Sequence, residues 1–572
     1  MSNEFDVVIV GTGVAGALVA WKLAEAKFNV GMIDAGEKHL ETIDRDEFVK
    51  KFSEAPQSGK SPSQPFVDDL NAKFAHSPDV ADFKLFKDKK PGEDLYFVQT
   101  GDAPFLSQYQ RIVGGTTWSW RGNCPRYIPS DFKLRTLYGR GVDWPIAYRD
   151  LESYYCDAED ALGVAGNHDE WNNLFQAYRS RRFPMKEIAQ AYGDLQLKEA
   201  ISGLSLDGVE IEILALPQAR NSRDYDGRRA CHGNSNCIPL CPIQAKYDAT
   251  VHVKKALATK NATLIEKAVV TDLKTDPAGN ISEVVYKTWD GQTQTVKGKI
   301  VVLATNGIET PKLLLMSNGR NGIANFSKKV GLHLMDHLGG EGNANLPFPV
   351  FPFRGPQSTS CIEAFRDHRD RDKTCAFRLT IGNDGWGRKE HPFDTLRKLL
   401  ELNVFGKELQ EDLLRTVSHQ LRIAYSTEQL PDAKNLVKLS ETEKDGFDIP
   451  KPEIQFSIDE YSANGFAYAQ KVIRHIYTSL GVAESDMEFT DVKSPDLKKK
   501  KFSGSGHIMG TCRMGRSKND SVVDAQCRSH DIENLYIVGS SVFPTGSCVN
   551  PTITIAALAL RAAASIQKQL AP

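Results

Sequence analysis

The 572-residue chain has no excess of charge of either sign: 71 Lys and Arg stand against 73 Asp and Glu, a net charge of −2. Without a basic field, nucleic acid is not the expected partner. No apolar run approaches the roughly 20 residues that a membrane helix needs, so no direct membrane span is expected. Cysteine is sparse, with ten residues in the chain, too few for a disulfide scaffold. There is no internal repeat. Residues Met1 to Asp6 carry neither a basic patch nor an apolar signal core, so no export signal is expected on the chain itself, although a partner could carry one. What is present, 41% apolar and 25% charged residues, is ordinary for a soluble globular protein of several domains' length.

The first forty residues hold the clearest pattern. Phe5 to Val10 (FDVVIV) reads as a buried parallel strand. Gly11-Thr12-Gly13-Val14-Ala15-Gly16 follows, then the helical stretch Ala17 to Ala26, then a second strand ending at Asp34. Gly11 permits a tight turn, Gly13 lets backbone approach a pyrophosphate, and Gly16 lets helix and strand pack closely. The helix start at Val14 and Ala15 offers unpaired N–H groups to phosphate. Asp34 stands where a carboxylate meets ribose hydroxyls. The pattern predicts dinucleotide binding without separating FAD from NAD.

Arg111 to Trp120 (RIVGGTTWSW) contains adjacent glycines, Gly114 and Gly115, before Thr116 and Thr117. Such a loop has little bulk and can press against a flat ring or a phosphate. Lys299 to Ala304 reads as a further strand of the same sheet, followed by a glycine turn and a helix. Leu264 to Leu273 reads as a strand passing the adenine through Val269, and the residues up to Lys297 as a β-meander. Near the C-terminal end, His507 sits among glycines in SGHIMGTCRMG, where its ring can be aimed into a cleft. Imidazole is the natural base near neutral pH. A strand through Asn534 to Gly539 follows, then a loop, and Asn550 is placed as the N-cap of a helix that begins near Thr552.

Cys231, Cys237 and Cys241 fall within eleven residues, and the third precedes Pro242. Three close thiolates outside a disulfide context read as an iron–sulfur site, a zinc site completed by His232, or a structural cluster. Spacing leaves all three open.

The ordered segments GTGVAG, VGGTTW, ATNGIETPKLLL, HIMGTCRMG and VNPTITIAALALR resemble the glucose–methanol–choline (GMC) oxidoreductases. The resemblance implies non-covalent FAD, since Ser119 stands where some relatives carry a flavin-linking histidine. It implies His507 as proton acceptor and Asn550 as its partner on the substrate oxygen. It places Gly115, Thr116 and Thr117 near the flavin ring, with Gly539 and Thr552 at the same cofactor. The cysteine loop is similar to that of bacterial GMC dehydrogenases acting on fructose, glucose, gluconate and related glycosides. That likeness implies a [3Fe–4S] cluster on Cys231, Cys237 and Cys241, a cytochrome c-type electron acceptor and a small companion subunit carrying the export signal. It implies a location in the periplasm or at the periplasmic face of the inner membrane; the alternative is cytoplasmic.

The expected fold is α/β (α+β overall), a Rossmann-like FAD-binding domain with a second, mixed-sheet substrate domain. The first is expected to comprise residues 1–48, 96–135, 215–322 and 501–572, with the cysteine loop 231–242. Residues 136–214 and 323–500 are assigned to the substrate domain, and 49–95 to a surface excursion or lid. Glu428 is read as a substrate contact or a surface hairpin residue, and Trp118, Trp120 and Gln420 as sugar contacts. The lysine run 498–501 is read as a solvated loop or a docking site. The expected reaction is oxidation of a sugar, sugar-acid or glycoside hydroxyl, with a secondary carbon favoured. The alternatives are an oxygen-using oxidase of the same fold and a non-catalytic flavin electron-transfer subunit.

Overall fold

The computed structural model describes residues 3–38, 40–41, 45–46, 96–233, 237–238, 240–385, 392–489 and 502–571. The expected excursion at 49–95 and the lysine run at 498–501 lie outside the described residues. The N-terminal strand β1 (Glu4–Val10) is parallel to β2 (Val30–Ile33), and α1 (Val14–Glu25) joins them. Beyond β2 lies β3 (Ala262–Ile265), also parallel. The stretch Leu264 to Leu273 is not one strand: after β3 the backbone turns at Lys267, with φ +52°, and β4 (Ala268–Thr275) leaves in another direction. β4 and β5 (Ile281–Thr288) form the meander with β6 (Thr293–Leu303). β6 is long enough to serve two partners. Its first residues pair antiparallel with β5, and its last, from Lys297, run parallel to β1. Helix α2 (Asn306–Arg320) follows directly.

The second large sheet is antiparallel: β7 (Leu338–Asn345), β8 (Ser360–Ile362), β9 (Phe377–Gly382) and β10 (Gln420–Thr427) are its main strands. Leu214–Ala215, Glu488–Phe489 and Ser503–Gly504 join its edges. The strand Pro450–Gln455 lies instead in a small sheet with Leu436–Lys444 and Val98–Gln99, where the one parallel pairing of this part is found among the described residues. Alternation gives the second sheet two chemically different faces. Leu379, Ile381, Leu421, Ile423 and Tyr425 pack on helix α3 (Glu460–Ser479), joined by Phe466, Ile473 and Tyr477. Gly342 belongs to that face, since a Cβ on it would meet Ile473 at 2.8 Å. The opposite face carries Glu341, Asn343, Arg378, Thr380, Arg422 and Ser426.

The chain then returns to the first sheet. β11 (Leu535–Ile537) pairs with β6, and α4 (Thr552–Leu570) packs on α1. Both helices are rich in alanine where they meet, which favours helix and lets the backbones approach. No helix of the described residues is long and apolar enough to cross a membrane.

Candidate active site

The turn from β1 into α1 builds the cradle that the glycine pattern predicts. Gly11 has φ +92°, and a Cβ on Gly16 would stand 1.9 Å from the Gly11 carbonyl oxygen. A Cβ on Gly13, by contrast, meets nothing within 4 Å, and one on Gly115 approaches the Gly13 Cα at 3.2 Å. A cleft with about 830 Å³ of free space opens there to solvent, lined by Gly11, Gly13, Asp34, Gly115, Thr116 and Val269 among others. Val14 and Ala15 form the first turn of α1 and Gly16 is its spacer. Gly114 and Thr117 shape the neighbouring loop: Thr117 Oγ1 donates to the Gly114 carbonyl at 2.6 Å and accepts from the Ala249 N–H at 2.9 Å.

Asp34 accepts from the Thr12 N–H (2.9 Å), the Thr12 hydroxyl (2.6 Å) and the Gly36 N–H (2.9 Å). Burial pushes its carboxyl up against these bonds. Thr12 Oγ1 in turn accepts from the Gly114 N–H at 3.2 Å. Thr12 thus ties the acid, the glycine turn and the Gly-Gly loop together. The glycine pattern leaves its position free, so nothing in the sequence pointed to it. Gln110 was missed as well. It lines the cleft at 8% exposure, with neither amide atom hydrogen-bonded by protein. A buried amide left open at a cradle of bare backbone fits a polar ligand such as FAD. Beside it, Tyr96, Tyr109 and Arg111 converge on Glu309. Burial alone would raise that carboxyl, but Arg111 and Lys312 outweigh it and hold it at about 2.

The wall of this cleft is tied to the segment bearing His507. The Gly506 N–H donates to Ser107 Oγ at 2.7 Å, two residues before Tyr109. Thr511 Oγ1 donates to the Gly307 carbonyl at 2.7 Å, next to Asn306 of the cleft. His507 and Asn550 are both half-buried, and Asn550 Nδ2 lies 3.0 Å from His507 Nε2. The Asn550 amide is oriented by Arg378, whose Nη1 donates to Oδ1 at 3.0 Å. Asn550 is therefore not the helix cap that its position suggested. Pro551 takes that place, Thr552 opens α4, and the amide is engaged in the site. On the other side of the imidazole, His507 Nδ1 faces His337 Nδ1 at 2.8 Å. Asp336 accepts from the backbone N–H groups of His337 (2.8 Å) and His507 (3.0 Å), fixing both rings' starting points. Gly539, with φ +103°, leads from β11 into the turn whose Ser540 donates to the Ile508 carbonyl at 2.5 Å.

Several expected sugar contacts are structural. Trp118 is fully buried and donates to the Val113 carbonyl at 2.8 Å; Trp120 donates to the Tyr247 carbonyl at 2.7 Å. Gln420 is buried and donates to Thr395 Oγ1 at 3.3 Å. Glu428 is neither a surface residue nor open to a substrate. It is 1% exposed and holds Arg371 at 3.3 Å and the Tyr461 hydroxyl at 3.2 Å.

In the cysteine loop, each sulfur faces an N–H donor. These are Gly233 N for Cys231 (3.4 Å), Arg220 Nη2 for Cys237 (3.0 Å) and Lys246 N for Cys241 (3.5 Å). All ten cysteines are free thiols. Among the described residues, no three His, Cys, Asp or Glu side chains are grouped to hold one metal ion. The chemistry of the three sulfurs, with N–H donors and two cationic side chains beside them, fits thiolate ligands of an iron–sulfur group. The loop is also bonded to the segment after the Gly-Gly turn. Lys246 Nζ donates to the carbonyls of Trp118 (2.8 Å) and Trp120 (2.6 Å), and Arg220 to that of Arg121 (3.2 Å).

Profiles described as GMC oxidoreductase match residues 207–339 and 431–559. The fructose dehydrogenase large subunit of Gluconobacter japonicus is 35% identical over 580 residues, covering 100% of this chain and 99% of that one. The chain belongs to the GMC oxidoreductase family. Two further relatives are more distant than this one. The 2-methyl-1,2-propanediol dehydrogenase of Mycolicibacterium austroafricanum is 26% identical, covering 99% of this chain and 96% of its own. The crystal structure of pyridoxine 4-oxidase from Mesorbium loti superposes with a TM-score of 0.59 at 19% identity, covering 98% of this chain and 99% of that one. Family membership makes this chain an FAD-dependent oxidoreductase acting on CH–OH groups, and the α/β fold expected from the sequence is the one observed.

Proposed function

We propose that the protein is a dehydrogenase that oxidises a hydroxyl of a sugar, sugar acid or glycoside, a secondary carbon being favoured. The observation that carries this reading is the half-buried His507–Asn550 pair, held by Arg378 beside the cleft. His507 Nε2 takes the proton of the substrate hydroxyl, and Asn550 holds the oxygen from which it leaves. FAD, when bound, accepts the hydride that leaves the same carbon. Glu341, Asn343 and Thr380 are half-buried on the sheet face that carries Arg378, and they supply hydrogen-bonding groups suited to a ring rich in hydroxyls. The 35% identity to a fructose dehydrogenase large subunit supports a carbohydrate substrate.

The cysteine loop supports a dehydrogenase over an oxygen-using oxidase. Cys231, Cys237 and Cys241 would hold a [3Fe–4S] cluster, a group that supplies one-electron transfer when bound. Lys246 and Arg220 join the loop to the segment following Thr117, which supports an electron exit there toward a cytochrome c-type acceptor. A small companion subunit with an export signal and a location on the periplasmic side of the inner membrane complete the reading.

Two measurements test it. An anaerobic screen of sugars and glycosides with an artificial acceptor should show turnover, and His507→Ala should retain FAD while losing a factor on the order of 10²–10⁴ in kcat. Near-normal turnover in that variant removes the proposed base. Anaerobically prepared protein should contain iron and acid-labile sulfide with an EPR signal in the oxidised state; protein lacking both would leave oxygen as the acceptor to consider.

A further inference from the structure

His337 is fully buried in the turn before β7, 170 residues from the base that it touches. Its Nε2 lies 3.0 Å from the carbonyl oxygen of Gly546. A carbonyl only accepts, so the proton of the neutral ring must sit on Nε2. The other nitrogen, Nδ1, is then a lone pair. It faces His507 Nδ1 at 2.8 Å, and only one hydrogen can lie between two ring nitrogens. Since His337 supplies the acceptor, His507 must supply the donor. His507 therefore carries its proton on Nδ1 and its lone pair on Nε2, on the side of Asn550 and the substrate. The Asn550 amide agrees with this polarity. Its Oδ1 is taken by Arg378 at 3.0 Å, which turns Nδ2 as a donor toward the His507 lone pair at 3.0 Å.

We propose that His337 is a positioning residue that sets the tautomer of His507, through a polar chain that begins at the Gly546 carbonyl. The inference rests on the reading of His507 as the base. An Nε2–H tautomer would turn a hydrogen toward the substrate hydroxyl and leave no lone pair to receive its proton. Which nitrogen of a histidine is protonated is decided by what the other nitrogen bonds, and here that decision is passed from one ring to a second. Burial holds His337 at about 4, so the ring that makes the decision is neutral at working pH. Asp336 reinforces the arrangement, because one carboxylate holds the backbone N–H of both histidines. The pair thus keeps its register even though its members belong to different segments.

The test is nitrogen NMR of the FAD-loaded full chain labelled in histidine, with kcat measured in parallel. In the natural protein His507 should show a pyrrole-type Nδ1 and a pyridine-type Nε2; the reverse assignment overturns the proposal. His337→Asn keeps an acceptor beside His507 Nδ1 and should preserve both the spectrum and most of kcat. A reversed tautomer in that variant counts against the proposal. His337→Leu removes the acceptor and should give a mixed or reversed tautomer with a loss of about 10- to 100-fold in kcat at little change in KM. That is less than removing the base itself, because part of the population still holds the productive form. A leucine variant with the natural spectrum and turnover overturns the inference. If that variant does not fold, the natural protein and the asparagine variant decide. Failure of the base reading is seen separately, as His507→Ala with unimpaired turnover while the tautomer assignment stands.

Discussion

Burial, with the Arg378 charge beside it, pushes His507 well below its ordinary value of 6.5. The proposed base is therefore unprotonated throughout the neutral range. A lowered value means that protons compete for Nε2 only in more acidic solution. The acid limb of kcat/KM should then fall below pH 6.5, with a flat profile from there to neutrality. A limb at or above 6.5 would belong to an ordinary solvated imidazole and would contradict the site described. Asn550 shows how one residue can carry two readings, a site residue implied by the family resemblance and a cap suggested by local position. Its place before Pro551 read as a cap, whereas Arg378, 172 residues away, claims its amide.

At the scale of elements, the glycine turn was legible because its constraint is local: strand, turn and helix are contiguous, and each glycine answers to neighbours a few residues away. Gly16 and Gly13 give opposite expectations. In Gly16→Ala the new Cβ collides with backbone at 1.9 Å, which cannot swing aside. The variant should lose about 1–3 kcal/mol of stability or more and be purified without flavin absorbance. In Gly13→Ala the Cβ meets no protein atom within 4 Å, so the thermal midpoint of the flavin-free protein should hold. FAD affinity should fall, because the methyl group occupies space that the phosphates need. A Gly13→Ala variant that binds FAD normally would place the cofactor elsewhere. The second sheet was less legible. Its two faces follow period-2 alternation, but Pro450–Gln455 has the same alternation and joins a different sheet, since pairing partners are chosen by packing and not by pattern.

For the whole molecule, buried histidines, His333 and His337 among them, set an acid limit to stability. Burial holds His333 and His337 each at about 4 against an ordinary 6.5. On unfolding both rings regain normal basicity, so below about pH 6.5 the unfolded chain binds protons that the native one excludes. Stability should fall as pH drops from about 6.5 to about 4, by roughly 3 kcal/mol per histidine over the window. Urea midpoints across that range check it, and His337→Asn should flatten the slope. An unchanged slope in that variant would mean that His337 is not the ring excluding protons.

The sequence by itself determined the cofactor-binding half: the glycine turn, Asp34 at the end of β2, and the paired signatures around His507 and Asn550 are written in contiguous residues. Local sterics and strand alternation leave such marks. Only the tertiary structure decided what surrounds the imidazole. Arg378, His337, Asp336 and the Gly546 carbonyl come from separate segments. Thr12 and Gln110 hold positions at the cleft that no pattern marks, and Trp118, Trp120 and Glu428 proved to be internal supports. A hydrogen bond between distant residues has no spacing to betray it, because its partners are brought together by the packing of two sheets and their helices.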